Sequence, residues 1–147
     1  MSSSFVGNKI PVLCNPENFY KIIQAFPNYH AIIKPAKKEN LDRGRARNGM
    51  FILVPNYLKN CIQDVSPAYW RVHAAVITCN SKSLLIINTY FPCDSKQDEV
   101  NELQETLEAI KYTIEVNTFD SICILGDLNY DFNRTSLHST VVSQFID

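Results

Sequence analysis

An α/β fold is predicted for this chain by three observations: a strand–helix–strand crossover, a β-hairpin beside it, and polar residues gathered where two strands end. The crossover joins the apolar run Leu84 to Ile87 to the apolar run Ser121 to Leu125 through an amphipathic segment from about Gln97 to Val116. Parallel neighbours need such a connection, and it is right-handed by strong preference. The run Ile122-Cys123-Ile124-Leu125 reads as a strand buried on both faces, ended by Gly126. Asp127 and Asn129 follow at its C-terminal mouth, where α/β sheets bind ligands.

The elements follow in chain order. Residues 1–14 show no period and are expected to form a poorly structured tail, with a single domain over residues 15–147. Pro16 to Phe26 reads as a helix, because Phe19, Ile22, Ile23 and Phe26 share one face of a 3.6-residue period and Pro27 stops it. Tyr29 to Ile33 reads as a short strand, and Lys34 to Asn48 as a polar, basic loop. Gly49 opens a strand, Met50 to Val54, expected to be buried and closed by Pro55; Leu58 to Pro67 reads as a connection or edge segment. Trp70 to Cys79 and Leu84 to Thr89 are expected to pair as an antiparallel hairpin about a four-residue turn, Asn80-Ser81-Lys82-Ser83. Pro92 then stops pairing. In the crossover helix Val100, Leu103, Leu107, Ile110 and Ile114 form one apolar stripe. Ser95 with Asp98 resembles a capping box, and Glu99, Glu102, Glu105 and Glu108 suit the positive end of the helix dipole. A last helix is expected on Val141, Val142, Phe145 and Ile146.

Composition narrows the class. At 147 residues, 46% hydrophobic and 20% charged, the chain can bury a core, and no stretch is apolar for long enough to cross a membrane. The N-terminus lacks the basic and apolar regions of a signal peptide, so an intracellular location, the nucleus included, is expected. The five cysteines are odd in number and none form a C-x-x-C pair, which argues against a zinc site or a disulfide framework. Cys79 and Cys123 are expected as buried free thiols. The net charge of −1 conceals a division: residues 1–93 carry 11 basic and 4 acidic side chains, residues 94–147 carry 3 and 11. The basic half centres on Lys34, Lys37, Lys38, Arg43, Arg45 and Arg47, a cluster that fits either a phosphate backbone or a solvated loop.

Asp127, Asn129 and Tyr90 are the candidate catalytic residues. A carboxylate at a strand mouth can take a proton from water. An amide two residues on points the same way in an extended chain and can donate to a phosphate oxygen. The Tyr90 hydroxyl can make a similar contact from the neighbouring strand end. Each has a plainer reading: Gly-Asp-x-Asn also makes a turn, and Tyr90 also packs in a sheet. Asn88 reads as a strand-end hydrogen-bonding residue and Asp131 as a turn or cap residue. His30 and His73 read as structural, and His138 as a surface helix residue.

Taken together, an apolar strand with Asn88-Thr89-Tyr90-Phe91-Pro92-Cys93-Asp94, a helix, and an apolar strand with Gly126-Asp127-Leu128-Asn129 resembles the endonuclease/exonuclease/phosphatase superfamily. The resemblance is closest to the endonuclease domain of LINE-type (non-LTR) retrotransposons. Gly44-Arg45-Ala46-Arg47-Asn48-Gly49 before Met50 to Val54 resembles that family's G-R-x-x-G-G hairpin, with Asn48 in place of a glycine. The similarity covers residues 43–133. It implies a four-layer α/β sandwich of two mixed sheets (DNase I-like), here partial, and hydrolysis of phosphodiester bonds in DNA with Mg2+ as cofactor. It also implies Asp127 as the base activating water, Asn129 holding the phosphate or the water, and Tyr90 contacting the phosphate. Arg43, Arg45 and Arg47 become candidate DNA contacts, and a reverse transcriptase domain is expected in the full-length parent. The family's metal-binding glutamate and C-terminal Asp-His pair have no counterpart, since neither Glu17 nor Glu39 follows an apolar strand and His138 does not follow an Asp. The chain is therefore expected to be a fragment truncated at both ends, inactive alone, with an open sheet edge or uncovered sheet face. Two other readings stay open: a non-catalytic nucleic-acid-binding remnant, and a sugar or lipid phosphatase of the same superfamily.

Overall fold

The computed structural model describes residues 16–35, 49–93, 97–129 and 136–146, with the side chains of 16–19, 22, 97, 98, 137 and 138 left aside. The expected tail over 1–14, most of the basic loop, the Ser95–Asp98 cap, Asp131 and the His138 side chain lie outside what is described.

Helix α1 (Pro16–Ala25) forms as its periodicity predicts and stops before Pro27. Within its stripe Ile23 is 45% exposed. Strand β1 (Tyr29–Lys34) pairs antiparallel with β2 (Met50–Pro55), from Tyr29↔Pro55 to Lys34↔Met50. In β2 the burial alternates: Met50, Ile52 and Val54 are buried while Phe51 and Leu53 are half-buried. Ile52 and Val54 pack on Ala75 and Ile86 of a second sheet.

That second sheet has the order β3-β4-β5-β6. A 3-10 turn, Asn56–Cys61, leads into the short edge strand β3 (Ile62–Asp64). Strands β4 (Val72–Cys79) and β5 (Lys82–Tyr90) form the expected antiparallel hairpin, but its turn has two residues, not four. Asn80 and Ser81 both take positive φ, 50° and 60°. That is the type I′ geometry whose twist matches the flanking strands. Lys82 and Ser83 accordingly belong to β5, opposite Cys79 and Thr78.

Helix α2 (Gln97–Val116) then carries the chain to β6 (Ser121–Asp127), which runs parallel to β5. Leu103, Leu107 and Ile110 are buried against Val72, Ala74, Leu85 and Ile87 on one face of the sheet. Each such side chain contributes ~1.5–3 kcal/mol. Thr106 and Thr113 are buried with them, their hydroxyls donating to the carbonyls of Glu102 and Ala109 one turn back, at 2.6 and 2.7 Å. Helix α3 (Leu137–Ile146) closes this side with Val142. The Asp120 carboxylate fixes the entry to β6 by accepting the Ser83 N–H at 2.7 Å and its hydroxyl at 3.0 Å. Those bonds hold Asp120 below the usual carboxylate range. The architecture is α/β: a mixed four-stranded sheet between two helices and a two-stranded sheet.

Strand β6 departs from the expectation of burial on both faces. Ile122, Ile124 and Leu125 are 41%, 39% and 39% exposed. It is the last strand in its sheet, so its outer backbone edge is unpaired among the described residues, and the buried stripe of α2 lies over β4 and β5. Cys123 is exposed and Cys79 half-buried, so neither is the fully buried thiol expected from its strand. The strand also runs through Gly126 and ends at Asp127, two residues later than the Leu125 end read from the sequence.

The I′ turn yields a prediction. Serine carries a Cβ penalty at positive φ that glycine does not. Ser81→Gly is expected to stabilise the protein by about 0.5–1 kcal/mol in urea unfolding.

Candidate active site at the strand mouth

The parallel ladder brings the candidate residues together. Tyr90 ends β5 and Asp127 ends β6, and the register pairs Tyr90 with Asp127. Paired residues of neighbouring strands share a face. The Phe91 N–H donates to the Asp127 carbonyl at 2.9 Å, extending the contact one residue beyond the strand. Asn129 arrives by a different route from the one the sequence implies. Its φ is +44°, so strand alternation does not reach it. Instead its backbone N–H donates to Asp127 Oδ1 at 3.3 Å, and its side-chain amide donates to the Phe91 carbonyl at 2.7 Å. The Asp-x-Asn segment is thus an Asx turn whose amide is tied to the end of β5.

Gly126 permits this approach. Its φ is +133°, and a Cβ there would lie 1.9 Å from the Thr89 carbonyl oxygen. Thr89 is Gly126's partner across the ladder, and its buried hydroxyl donates to the Arg71 carbonyl at 3.0 Å. The neighbour that would have to yield is therefore backbone in the centre of the sheet.

Behind the mouth stand residues that the motif reading missed. Arg71, just before β4, is buried and pairs with Glu102 of α2. Its guanidinium carbon lies 3.9 Å from the Trp70 ring centroid and 5.4 Å from that of Tyr90. It also donates to the Tyr90 carbonyl at 3.4 Å, while the Tyr90 N–H donates to the Arg71 carbonyl at 3.1 Å. The Tyr90 ring therefore rests on a cation held between two aromatic faces, an arrangement worth ~1–2 kcal/mol where water is excluded. Arg71 Nε is buried with no partner among the described residues.

Lys34 sets the loop that carries this stack. The sequence places it at the start of the basic loop; in the structure it ends β1 and turns inward. Its ammonium donates to the carbonyls of Pro67, Tyr69 and Val72 at 2.7, 2.6 and 2.5 Å. Burial pushes its pKa down to about 8, against the attraction of Asp64, so it is a protonated donor to the three carbonyls at neutral pH. Next to it His73 is fully buried, and neither ring nitrogen has a partner among the described residues. Burial pushes its pKa down to about 4. This agrees with the structural reading of His73. Asn88 is structural too: its amide donates to the Phe51 carbonyl at 3.2 Å and ties β5 to β2. Arg43, Arg45 and Arg47 lie outside the described residues.

A divalent cation is the group that the sequence resemblance implies. Magnesium takes six oxygen ligands in near-octahedral geometry. Among the described residues no group of three or more histidine, cysteine or acidic side chains is placed to hold a metal, and Asp127 is the carboxylate at this mouth. The described residues do not make a metal cage. Comparison with known proteins finds no matching family model, no matching curated protein and no matching solved structure.

Two predictions follow from these contacts. Gly126→Ala is expected to cost ~3 kcal/mol or more, read as a lowered urea midpoint, because it adds a backbone clash to a φ that L-residues rarely adopt. The second concerns His73, whose folded pKa of about 4 lies below its unfolded value near 6.5. The unfolded chain therefore binds the extra proton between these values, and stability is full above pH 6.5 and falls as pH drops toward 4. The loss is expected to reach ~3 kcal/mol at most. His73→Phe should flatten that part of a stability–pH curve.

Proposed function

We propose that the chain carries part of a metal-dependent phosphodiesterase of the endonuclease/exonuclease/phosphatase type, with DNA as substrate. One observation supports this above the rest: Tyr90 and Asp127 face one another across the end of the parallel pair, with Asn129 tied to the same spot. Phosphoester hydrolysis needs a proton acceptor for water and donors that fix the phosphate. In this reading Asp127 takes the proton from the attacking water. The Tyr90 hydroxyl and the second N–H of the Asn129 amide hold phosphate oxygens. Arg71 adds positive charge behind Tyr90, reduced by its pairing with Glu102. Mg2+ would need ligands besides Asp127, so hydrolysis by this chain alone is proposed to be weak.

The motif order Asn88-x-Tyr90-x-Pro92 and Gly126-Asp127-x-Asn129 favours a nuclease of the retrotransposon type, and with it a reverse transcriptase as partner domain. The excess of basic over acidic side chains in residues 1–93 supports DNA over a small phosphoester, with Arg43, Arg45 and Arg47 as backbone contacts.

Supercoiled plasmid and a phosphodiester oligonucleotide test this. Nicking by the full chain with Mg2+ is expected to be weak, to stop with EDTA and to be lost in Asp127→Ala. Trp70 is the single tryptophan and lies on the Arg71–Tyr90 stack, so its emission should respond to the oligonucleotide in the wild type and not in Tyr90→Ala. Nicking that survives Asp127→Ala, or a chain that shows neither nicking nor a Trp70 response, overturns the reading.

A further inference from the structure

Strand β6 forms a sheet edge that nothing in its sequence blunts, and among the described residues no strand pairs with it there. Sheet edges of monomers are kept short, charged or covered, because their free N–H and C=O groups pair with other strands. The far edge of the same sheet follows that rule: β3 has three residues, and Gln63 and Asp64 are exposed. Strand β6 has seven residues, with no charge and no proline between Ser121 and Gly126. Its side chains are apolar on both faces. Ile122 and Ile124 pair with Leu85 and Ile87 across the ladder and so share the face that α2 covers, while Cys123 and Leu125 lie on the other. All four are exposed. The backbone has a direction as well. Asp127 turns its carbonyl toward β5, where it accepts the Phe91 N–H. Alternate residues of a parallel strand bond to the same neighbour, so Ser121, Cys123 and Leu125 also turn inward. Ile122 and Ile124 therefore turn their N–H and C=O groups outward.

We propose that a second copy of this chain covers the edge, β6 against β6, antiparallel about a two-fold axis at Ile124, so that two four-stranded sheets become one of eight strands. The strand complements itself in that register. Ile124 stands opposite Ile124 of the second copy as a hydrogen-bonded pair, with its outward N–H and C=O groups matched. Cys123 stands opposite Leu125 as a non-hydrogen-bonded pair, and Ser121 opposite Asp127. All seven residues pair, apolar groups meet apolar groups on both faces, and the carboxylate of the strand meets a hydroxyl. A shift of two residues either way leaves five pairs, and a shift of one sets inward-turned backbone groups against outward-turned ones. Charge agrees with this choice of partner. Asp120, just before the strand, already accepts two hydrogen bonds from Ser83 and lies 3.5 Å from the Lys82 ammonium. A cation thus stands at the end of the strand where Asp127 of the second copy arrives. Such an interface is isologous, each copy giving and receiving the same contacts. It follows from the edge and does not depend on the proposed phosphodiesterase activity.

Sedimentation of the full-length protein across a concentration series is expected to show a monomer–dimer equilibrium. Ile124→Lys sets two ammonium groups face to face at the axis and is expected to leave monomer alone, while Ile124→Val keeps the dimer. A second variant reads the register and does not rely on the first one folding. Leu125→Cys places a thiol opposite Cys123 of the second copy, where non-hydrogen-bonded pairs have Cα atoms ~4.5 Å apart, within disulfide range. Oxidation in air should give a covalent dimer on a non-reducing gel, and adding Cys123→Ser should abolish it. The proposal is overturned if the wild type stays monomeric at every concentration, the edge then being covered by the chain itself, or if assembly continues past the dimer. It is equally overturned if Ile124→Lys dimerises like the wild type, or if the Leu125→Cys covalent dimer fails to form or survives Cys123→Ser.

Discussion

The parallel pairing of β5 with β6 is the constraint on which the rest of the structure depends. Seven consecutive pairs, Leu84↔Ser121 to Tyr90↔Asp127, set the register. Near its end the two backbones come so close that only a residue without a Cβ fits at Gly126. A slip of one residue would turn Asp127 to the other face and bring a side chain against Thr89. The same approach lets Phe91 reach the Asp127 carbonyl and Asn129 reach Phe91. Packing of two strands and assembly of the mouth are therefore one event. The hydrophobic stripe of α2 supplies the energy for it, by burying Leu85 and Ile87 of β5 under Leu103, Leu107 and Ile110.

Two cations organise the opposite flank of the mouth, and neither is a surface charge. Lys34 gathers the carbonyls of Pro67 and Tyr69, in the segment before β4, and of Val72, the first residue of β4, and so ties that segment to the end of β1. Arg71, at the end of that segment, joins β4, β5 and α2 through Tyr90 and Glu102. A buried ion pair adds little net stability, because desolvation offsets most of the attraction. Its larger effect is geometric: the planar guanidinium has defined positions for its donors and a flat face for Trp70 and Tyr90. The Tyr90 ring, 37% exposed, is thus presented to solvent from a fixed base.

Much of this was legible in the sequence, and the gaps have physical causes. The helix from Gln97 to Val116 was readable because five apolar residues share one stripe. The juxtaposition of Tyr90 with Asp127 was readable because a crossover of that length delivers two strand ends to one place. The Arg71–Tyr90 pairing was not, because it depends on hairpin register. With a four-residue turn over Asn80 to Ser83, His73 would face Tyr90; with the observed I′ turn, Tyr90 bonds to Arg71 and His73 sits deeper, opposite Asn88. Asn-Ser is a weaker I′ signal than Asn-Gly, so the shorter turn was easy to pass over. Lys34 was misgrouped because a charged residue at a strand end gives no sign in sequence of turning inward. The burial of β6 was overestimated for a related reason. An unbroken apolar run reports what a strand is made of, and its position in the sheet is set by partners elsewhere in the chain.

Asp127 and Asn129 show why a turn motif and a site motif need not compete. As turn residues they use part of their bonding capacity: Asp127 accepts one N–H on Oδ1, and Asn129 spends one amide hydrogen on Phe91. A carboxylate has about four acceptor positions and a primary amide two donors and an acceptor oxygen. The remainder is fixed in direction by the bonds already made, since rotation of either group would break its turn contact. Left-handed geometry at Asn129 costs ~1 kcal/mol or more and is tolerated best by asparagine among residues with side chains. The strain and the two local bonds together convert flexible polar side chains into oriented ones, which is the property a phosphate or a water molecule would need from this mouth.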